Sequence, residues 1–163
     1  MIVVVMGVAG AGKTTVGRLL AETLGADFLD GDDYHPPANV QKMRAGQPLA
    51  DTDRWPWLER LNRELRARDT AAGNAVLACS ALKRAYREVL SAGVPARFVH
   101  LSGSREVLAA RLAARRGHYM PPALLDSQLA TLEPPDDAIV VEIDAAPAAI
   151  AAAIVTRLQC GEA

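Results

Sequence analysis

The sequence predicts an α/β fold of three layers, in which a five-stranded parallel sheet lies between helices on both faces. Five short apolar segments recur along the 163 residues, and stretches with apolar residues at helical spacing separate them. Strands that alternate with helices favour parallel pairing, because each helix returns the chain to the starting edge of the sheet. A glycine-rich turn follows the first apolar segment, and such sheets bind ligands at the carboxyl ends of their strands.

The predicted strands are short, and the third, over residues 75–79, is uniformly apolar, as expected for a strand covered by helices on each side. They comprise residues 2–6, 26–30, 75–79, 96–101 and 139–143.

Helical periodicity occupies the intervals between these strands. The first helix should end at Gly25, since glycine commonly closes helices in the left-handed conformation. Thr52 or Asp53 is expected to cap a long helix that stops near residue 73, Ser80 to cap the next, and Ser104 the one after it. Three further helices are predicted over residues 36–46, over 124–132 and from 147 onward.

Composition predicts one cytoplasmic domain that spans residues 1–163. The net charge of −1 and the aromatic content of 4% argue against a nucleic-acid partner. No apolar run approaches the ~20 residues of a membrane-spanning helix, and the first apolar run leads into the glycine turn rather than a cleavage site. Cys79 and Cys160 are too few for a disulfide or zinc framework. We therefore expect no membrane partner.

The glycine turn matches the phosphate-binding pattern G-x-x-x-x-G-K-[ST] through Gly7, Gly12, Lys13 and Thr14. Its glycines allow successive backbone N–H groups to point at phosphate oxygens, and the following helix adds its positive end. Lys13 reaches the β- and γ-phosphates, and the Thr14 hydroxyl is a ligand for Mg²⁺. A packing turn is the alternative, but the flanking strand and helix favour a nucleoside triphosphate site. Its predicted residues are Gly7, Val8, Ala9, Gly10, Ala11, Gly12, Lys13, Thr14 and Thr15.

A carboxylate-rich turn follows the second predicted strand. Asp30 and Asp32 alternate, so an extended backbone would direct them to opposite sides, although Gly31 could change this. One carboxylate could then ligate Mg²⁺ while the other orients an acceptor hydroxyl and takes its proton. A solvated acidic turn is the alternative interpretation.

Several basic side chains are candidates for binding an anionic acceptor. Lys83 and Arg87 are four residues apart after the third strand, away from the apolar stripe of their helix. His35 and His118 lie in loops beside charged groups, where each could hydrogen-bond a substrate. Exposed surface positions are the alternative for all four. A small-molecule kinase fits these features better than a GTPase, because the chain lacks an N-K-x-D stretch for guanine.

Several stretches together resemble the gluconate kinases, in order and over nearly the whole chain. The D-x-D-x-x-H-P block that begins at Asp30 and the C-S-A-L-K block that begins at Cys79 are specific to that family. The remaining stretches are the phosphate loop, residues 39–43, Pro48-Leu49, residues 51–54, residues 56–58, Tyr86-Arg87 and residues 116–118. The family often has serine within the loop, where this chain has Ala9 and Ala11. Little loss is expected, since these positions contribute mainly backbone N–H groups.

This resemblance implies a P-loop kinase fold similar to shikimate and nucleoside monophosphate kinases, with strand order 2-3-1-4-5. It implies ATP-dependent phosphorylation of the 6-hydroxyl of D-gluconate, with Mg²⁺, in a homodimer. It also implies a mobile lid over residues 111–122, in which Arg111 binds the nucleotide and Arg115 acts on the transferring phosphoryl group. Thr14 and Asp30 would ligate the metal, and Lys13 and Asp32 would act in catalysis. The substrate-binding residues would be Asp32, His35, Arg54, Ser80, Lys83, Arg87 and His118.

Two rivals remain at the level of sequence. A shikimate-type or other small-metabolite kinase would share the loop and the fold but bind another acceptor. An ATP-binding regulatory switch would hydrolyse ATP slowly and would need no acceptor site.

Overall fold

The computed structural model describes residues 1–114 and 122–161, and its described part contains the predicted five-stranded sheet. Every pairing is parallel, and the strand order is β2-β3-β1-β4-β5, as expected. The strands are β1 (Ile2–Met6), β2 (Asp27–Asp30), β3 (Ala75–Ala78), β4 (Ala96–Ser102) and β5 (Ala138–Glu142).

Helices connect these strands as the periodicity predicts. None of the helices in the described residues is long and apolar enough to cross a bilayer. They are α1 (Lys13–Leu24), α2 (Pro37–Arg44), α3 (Asp51–Thr70), α4 (Arg84–Ser91), α5 (Arg105–Ala113), α6 (Pro122–Thr131) and α7 (Pro147–Gln159), with a 3-10 turn at Gly31–Tyr34.

The central strand β1 shows why the fold has three layers. Val3 and Val5 pack with α1, α5 and α7 on one face of the sheet. Ile2 and Val4 pack with α3 and α4 on the other. All four side chains are fully buried, and each such burial contributes about 1.5–3 kcal/mol. A strand buried on both faces has no polar positions, which confirms the interpretation of its uniform apolar sequence.

Two predicted helix starts are wrong. Helix α3 begins at Asp51, and Asp53 acts from inside the first turn, where its carboxylate accepts from the Ala50 N–H at 2.9 Å. Helix α4 begins at Arg84 rather than after Ser80, because Ala81 takes a left-handed φ of 45° that a helix cannot include.

Two other predicted helix ends are confirmed. Gly25 ends α1 with a φ of 58°. Ser104 caps α5, and its side chain accepts from the backbone N–H of Val107 at 3.3 Å.

Candidate active site

The loop between β1 and α1 has the backbone that a phosphate cradle requires. Gly7, Gly10 and Gly12 have φ values of 143°, 85° and 95°, a region that side chains disfavour. A Cβ on Gly7 would also lie 2.8 Å from the Leu101 carbonyl oxygen. Helix α1 begins directly after Gly12 at Lys13, so its unpaired N–H groups and positive end lie at the loop.

Lys13 and Thr14 occupy the first turn of α1. The ammonium of Lys13 donates to the Val8 carbonyl at 3.1 Å, so the side chain lies against the glycine loop. The Thr14 hydroxyl donates to a carboxylate oxygen of Asp30 at 3.0 Å. The structure therefore brings together the two predicted metal ligands, which lie 16 residues apart.

This pair is suited to Mg²⁺ held jointly with a nucleotide. Within residues 1–114 and 122–161, no group of three or more His, Cys, Asp or Glu side chains could hold a metal ion by itself. Magnesium in phosphotransfer sites commonly takes one or two protein oxygens and completes its shell with phosphates and water. The hydroxyl of Thr14 and the carboxylate of Asp30 fit that requirement.

Helix α6 supports the loop through a residue that the sequence did not single out. The backbone N–H of Ala9 donates to the side-chain oxygen of Gln128 at 2.7 Å. The two residues are 119 positions apart, and no local pattern marks a lone glutamine in a helix as a loop contact.

The acidic turn folds back on itself after β2. Asp30 accepts from the backbone N–H of Asp32 at 3.2 Å and so caps the 3-10 turn, which replaces the alternation of an extended strand. The side chain of Asp32 is 89% exposed. Partial desolvation by the surrounding turn, followed by the charge of Asp30, raises the pKa of Asp32, and the ammonium of Lys13 opposes the shift. Because the side chain is largely in solvent, which screens these influences, Asp32 presents first of all an accessible carboxylate.

His35 and Trp57 form the buried floor beneath this turn. Their rings stack with centroids 4.1 Å apart, and the Trp57 indole donates to the Gly31 carbonyl at 2.7 Å. Burial, followed by the positive charge of Arg54, lowers the pKa of His35 to about 4. His35 is thus a packed, neutral ring near Asp32, rather than the exposed surface histidine of the alternative interpretation.

A second cluster joins the start of α3 to α4. The carboxylate of Asp51 accepts from the Lys83 ammonium at 2.9 and 3.0 Å and from the Tyr86 hydroxyl at 2.5 Å. Hydrogen bonds from these two side chains, that of Tyr86 first, lower the pKa of Asp51. The guanidinium of Arg54 lies 5.7 Å from the Tyr86 ring centre. The structure therefore brings the predicted cations Arg54 and Lys83 to one cluster and adds Asp51 and Tyr86, which the sequence did not assign.

The loop after β3 lies against the start of the phosphate loop. The backbone carbonyl of Ser80 accepts from the Gly7 N–H at 3.3 Å, which places Ser80 beside the nucleotide site. Ala81 next to it takes the left-handed φ that prevents α4 from starting at Ser80. Backbone strain of this kind is concentrated at functional sites.

Arg87 was predicted as a cation for the acceptor, with an exposed surface position as the alternative, and the structure buries it. It is only 7% exposed, and its guanidinium donates to the carbonyls of Ala81 and Leu82 at 3.1 and 3.2 Å. Lys83 precedes α4 and pairs with Asp51, so the two cations have different surroundings, and loop carbonyls satisfy the buried charge of Arg87. Arg87 thus supports the strained loop from beneath.

The comparisons with known proteins agree with this geometry. The model of the family described as "AAA domain" matches residues 2–135. A protein named gluconokinase from Gluconobacter oxydans is 57% identical over 135 residues, covering 82% of this chain and 76% of that protein. This chain belongs to the gluconokinase family. The crystal structure of a gluconokinase from Sinorhizobium meliloti matches with a TM-score of 0.86 and 41% identity, over 99% and 97% of the two chains.

The gluconokinase fold is also related to that of shikimate kinase. The structure of the Acinetobacter baumannii shikimate kinase matches with a TM-score of 0.64, at 20% identity and over 98% of this chain and 93% of that one. This likeness concerns the fold alone.

The predicted gluconokinase lid is described only at its two ends. Arg111 lies in the last turn of α5 and beside the loop, since a Cβ on Gly12 would lie 3.7 Å from an Arg111 guanidinium nitrogen. Its other terminal nitrogen donates to the Ile143 carbonyl. Arg115 and His118 lie outside the described residues.

Proposed function

We propose that this protein transfers the γ-phosphoryl group of ATP to the 6-hydroxyl of D-gluconate, giving 6-phospho-D-gluconate and ADP. The hydrogen bond between Thr14 and Asp30 is the observation that carries the proposal, because it joins the phosphate loop to the acidic turn that presents Asp32. The family named for this activity supports the choice of acceptor.

The donor half of the reaction belongs to the phosphate loop. Its N–H groups and Lys13 bind the β- and γ-phosphates, while Thr14 and Asp30 hold Mg²⁺. When bound, Mg²⁺ neutralises part of the phosphate charge. Arg111, which lies beside Gly12, binds the nucleotide, and we keep Arg115 as a proposed catalytic cation.

The acceptor half depends on Asp32. Its exposed carboxylate orients the 6-hydroxyl in line with the γ-phosphorus and accepts the hydroxyl proton. A bond then forms from the gluconate oxygen to phosphorus as the bond to the β-phosphate oxygen breaks, and ADP leaves. The raised pKa of Asp32 suits a carboxylate that must take this proton.

The gluconate carboxylate requires a cation at the opposite end of the acceptor. Arg54 and Lys83 meet near Tyr86 and are the candidates for this contact. Asp51 engages Lys83 through both carboxylate oxygens and so holds its ammonium at this cluster. We also keep Ser80, His35 and His118 as proposed hydroxyl partners, whereas Arg87 acts on the acceptor only through the loop that it supports.

A panel of acceptors tests the proposal. ADP release should depend on gluconate and remain at background with shikimate, with aldose sugars and with water alone. Release with shikimate instead would favour the shikimate-type rival, and release independent of any acceptor would favour the regulatory switch. A Lys13→Met variant should abolish release with every acceptor and serves as the control for contaminating kinases.

The finer properties of the enzyme are part of the same proposal. Activity should require Mg²⁺, be lost with a chelator and return on addition of the metal. Light scattering should report a homodimer, and cell fractionation should recover the protein in the cytoplasm. Limited proteolysis should leave residues 1–163 as a single domain, with residues 111–122 acting as its lid.

A further inference from the structure

A buried amide determines the surroundings of His35. Asn39, near the start of α2, is 4% exposed, and its side-chain nitrogen donates to the Asp53 carbonyl at 2.8 Å. A backbone carbonyl only accepts hydrogen bonds, so the atom that faces it must be the NH₂ nitrogen rather than the amide oxygen. This contact fixes the orientation of the Asn39 amide.

The same nitrogen faces the ring of His35. It lies 3.3 Å from His35 Nδ1. Because the amide nitrogen carries two hydrogens and accepts none, Nδ1 must be the acceptor in this contact and carries no proton.

The remaining ring nitrogen therefore carries the proton. With a pKa of about 4, His35 is neutral at neutral pH and holds one ring proton, which must lie on Nε2. Nε2 is 4.0 Å from a carboxylate oxygen of Asp32. An N–H dipole, rather than a lone pair, thus faces the carboxylate that we assign to the acceptor hydroxyl.

We propose that Asn39 is a positioning residue of this enzyme, which holds His35 as the Nε2–H tautomer so that the ring presents a neutral donor toward Asp32. The opposite tautomer would direct a lone pair at a carboxylate, and this repulsion would turn Asp32 away from the acceptor. Asn39 itself touches neither substrate nor metal in this scheme. The inference rests on the proposed function for its kinetic consequence, whereas the tautomer itself follows from the hydrogen bonds alone.

Two-bond ¹H–¹⁵N correlation spectra of the folded protein read the tautomer directly. The chain has three histidines, and a His35→Gln variant assigns the signal of His35. At pH 7 we expect a neutral ring with a protonated Nε2 and an unprotonated Nδ1. A ring protonated at Nδ1, or at both nitrogens, would overturn the proposal whether or not the protein phosphorylates gluconate.

A matched pair of variants tests the role of Asn39. Asn62 is also a buried amide that donates to carbonyls, those of Leu90 and Ala92 at 2.9 and 3.0 Å, but it belongs to α3 and contacts the end of α4. Asn39→Ala should give a mixture of His35 tautomers and lower kcat about 10-fold with little change in the KM for ATP. Asn62→Ala should lose comparable stability yet keep the single tautomer and its kcat. Equal effects of the two substitutions on kcat would reduce Asn39 to a packing residue.

Two further variants keep the proposal testable if Asn39→Ala fails to fold. Asn39→Asp replaces the amide by a group that only accepts, so the proton should move to Nδ1. His35→Gln retains a neutral N–H donor near the position of Nε2 and should keep more of the kcat than His35→Leu. Retention of the Nε2–H signal in Asn39→Asp, or equal kcat values for the two His35 variants, would contradict the proposal.

Discussion

The ammonium of Lys83 lies 2.9 Å from a carboxylate oxygen of Asp51, although the two residues are 32 positions apart in the chain. The Tyr86 hydroxyl donates to the same carboxylate, so the start of α3 and the start of α4 are tied together at one acidic group. The Lys83 side chain is 33% exposed, and its ion pair with Asp51 holds the ammonium beside Tyr86.

Lys83→Met should therefore weaken the binding of gluconate specifically. Loss of a charge-assisted contact to the carboxylate should raise the gluconate KM roughly 10- to 100-fold, while the KM for ATP stays within about 2-fold. Steady-state kinetics with each substrate varied in turn measures both values. Arg84→Met is the matched control, because Arg84 is the next residue but pairs with Glu88 on the outer surface of α4. Equal effects of the two substitutions would remove Lys83 from the acceptor site.

The lowered pKa of His35 predicts a specific pH dependence of stability. Unfolded histidine titrates near pH 6.5 and folded His35 near 4, so protons favour the unfolded state between these values and stability declines as the pH falls through them. Between pH 7 and pH 5 the free energy of unfolding should fall by about 2 kcal/mol through His35.

Urea denaturation of the wild type and of His35→Phe at both pH values isolates this contribution. His100, whose pKa is also lowered by burial, acts in both proteins and cancels in the comparison. The aromatic replacement keeps a ring to stack on Trp57. A pH dependence that is equal in the two proteins would show that His35 does not titrate in this range.

Gly31 should tolerate no side chain, because the acidic turn packs directly on β3. A Cβ at this position would lie 2.8 Å from the Ala78 carbonyl oxygen and 3.5 Å from the Trp57 ring. Gly31→Ala should destabilise the fold by about 2–3 kcal/mol and lower kcat, since Asp30 and Asp32 flank the displaced backbone. Thermal unfolding and turnover measure the two effects.

Gly46→Ala is the control for Gly31→Ala, because it should lower the stability of the fold without disturbing the acidic turn. Gly46 has a φ of 70°, and a Cβ added there would meet nothing within 4 Å, so alanine should lose only about 1–2 kcal/mol through backbone strain. Its kcat should be unchanged. A Gly31→Ala enzyme with normal kcat would contradict the role assigned to the turn.

The sheet and the phosphate loop could be predicted because their signals are local. Five apolar segments that alternate with helical stretches were enough for a parallel sheet covered on both faces, whereas the strand order came from the family resemblance. One spacing of Gly7, Gly12, Lys13 and Thr14 located the glycine loop. Thr14 and Asp30, both predicted as metal ligands, do lie in contact, since the carboxyl ends of their strands meet at the same edge of the sheet.

The other contacts of the site join residues that are far apart in the sequence, and no local sequence pattern links the two partners. Asp51 lies just before the predicted cap of the long helix and becomes part of the site only through Lys83 and Tyr86. Gln128 reaches Ala9 from a helix that had no assigned function. Arg87 was predicted as a cation for an anionic acceptor, with an exposed surface position as the alternative. The carbonyls of the strained loop satisfy it inside the protein instead, and no local pattern predicts those contacts.

We assign ATP binding to the phosphate loop and activation of the acceptor hydroxyl to Asp32 in the acidic turn. Asp32→Asn tests this assignment most directly. The substitution removes the proton acceptor but leaves Lys13 and the loop intact, so kcat with gluconate should fall about 100- to 10,000-fold. The dissociation constant for ATP, measured by calorimetry, should stay within about 2-fold of the wild type. Asp33→Asn, an exposed neighbour in the same turn, should retain normal turnover. A near-normal kcat for Asp32→Asn, or a loss of ATP binding that accounts for the lost turnover, would contradict the assignment.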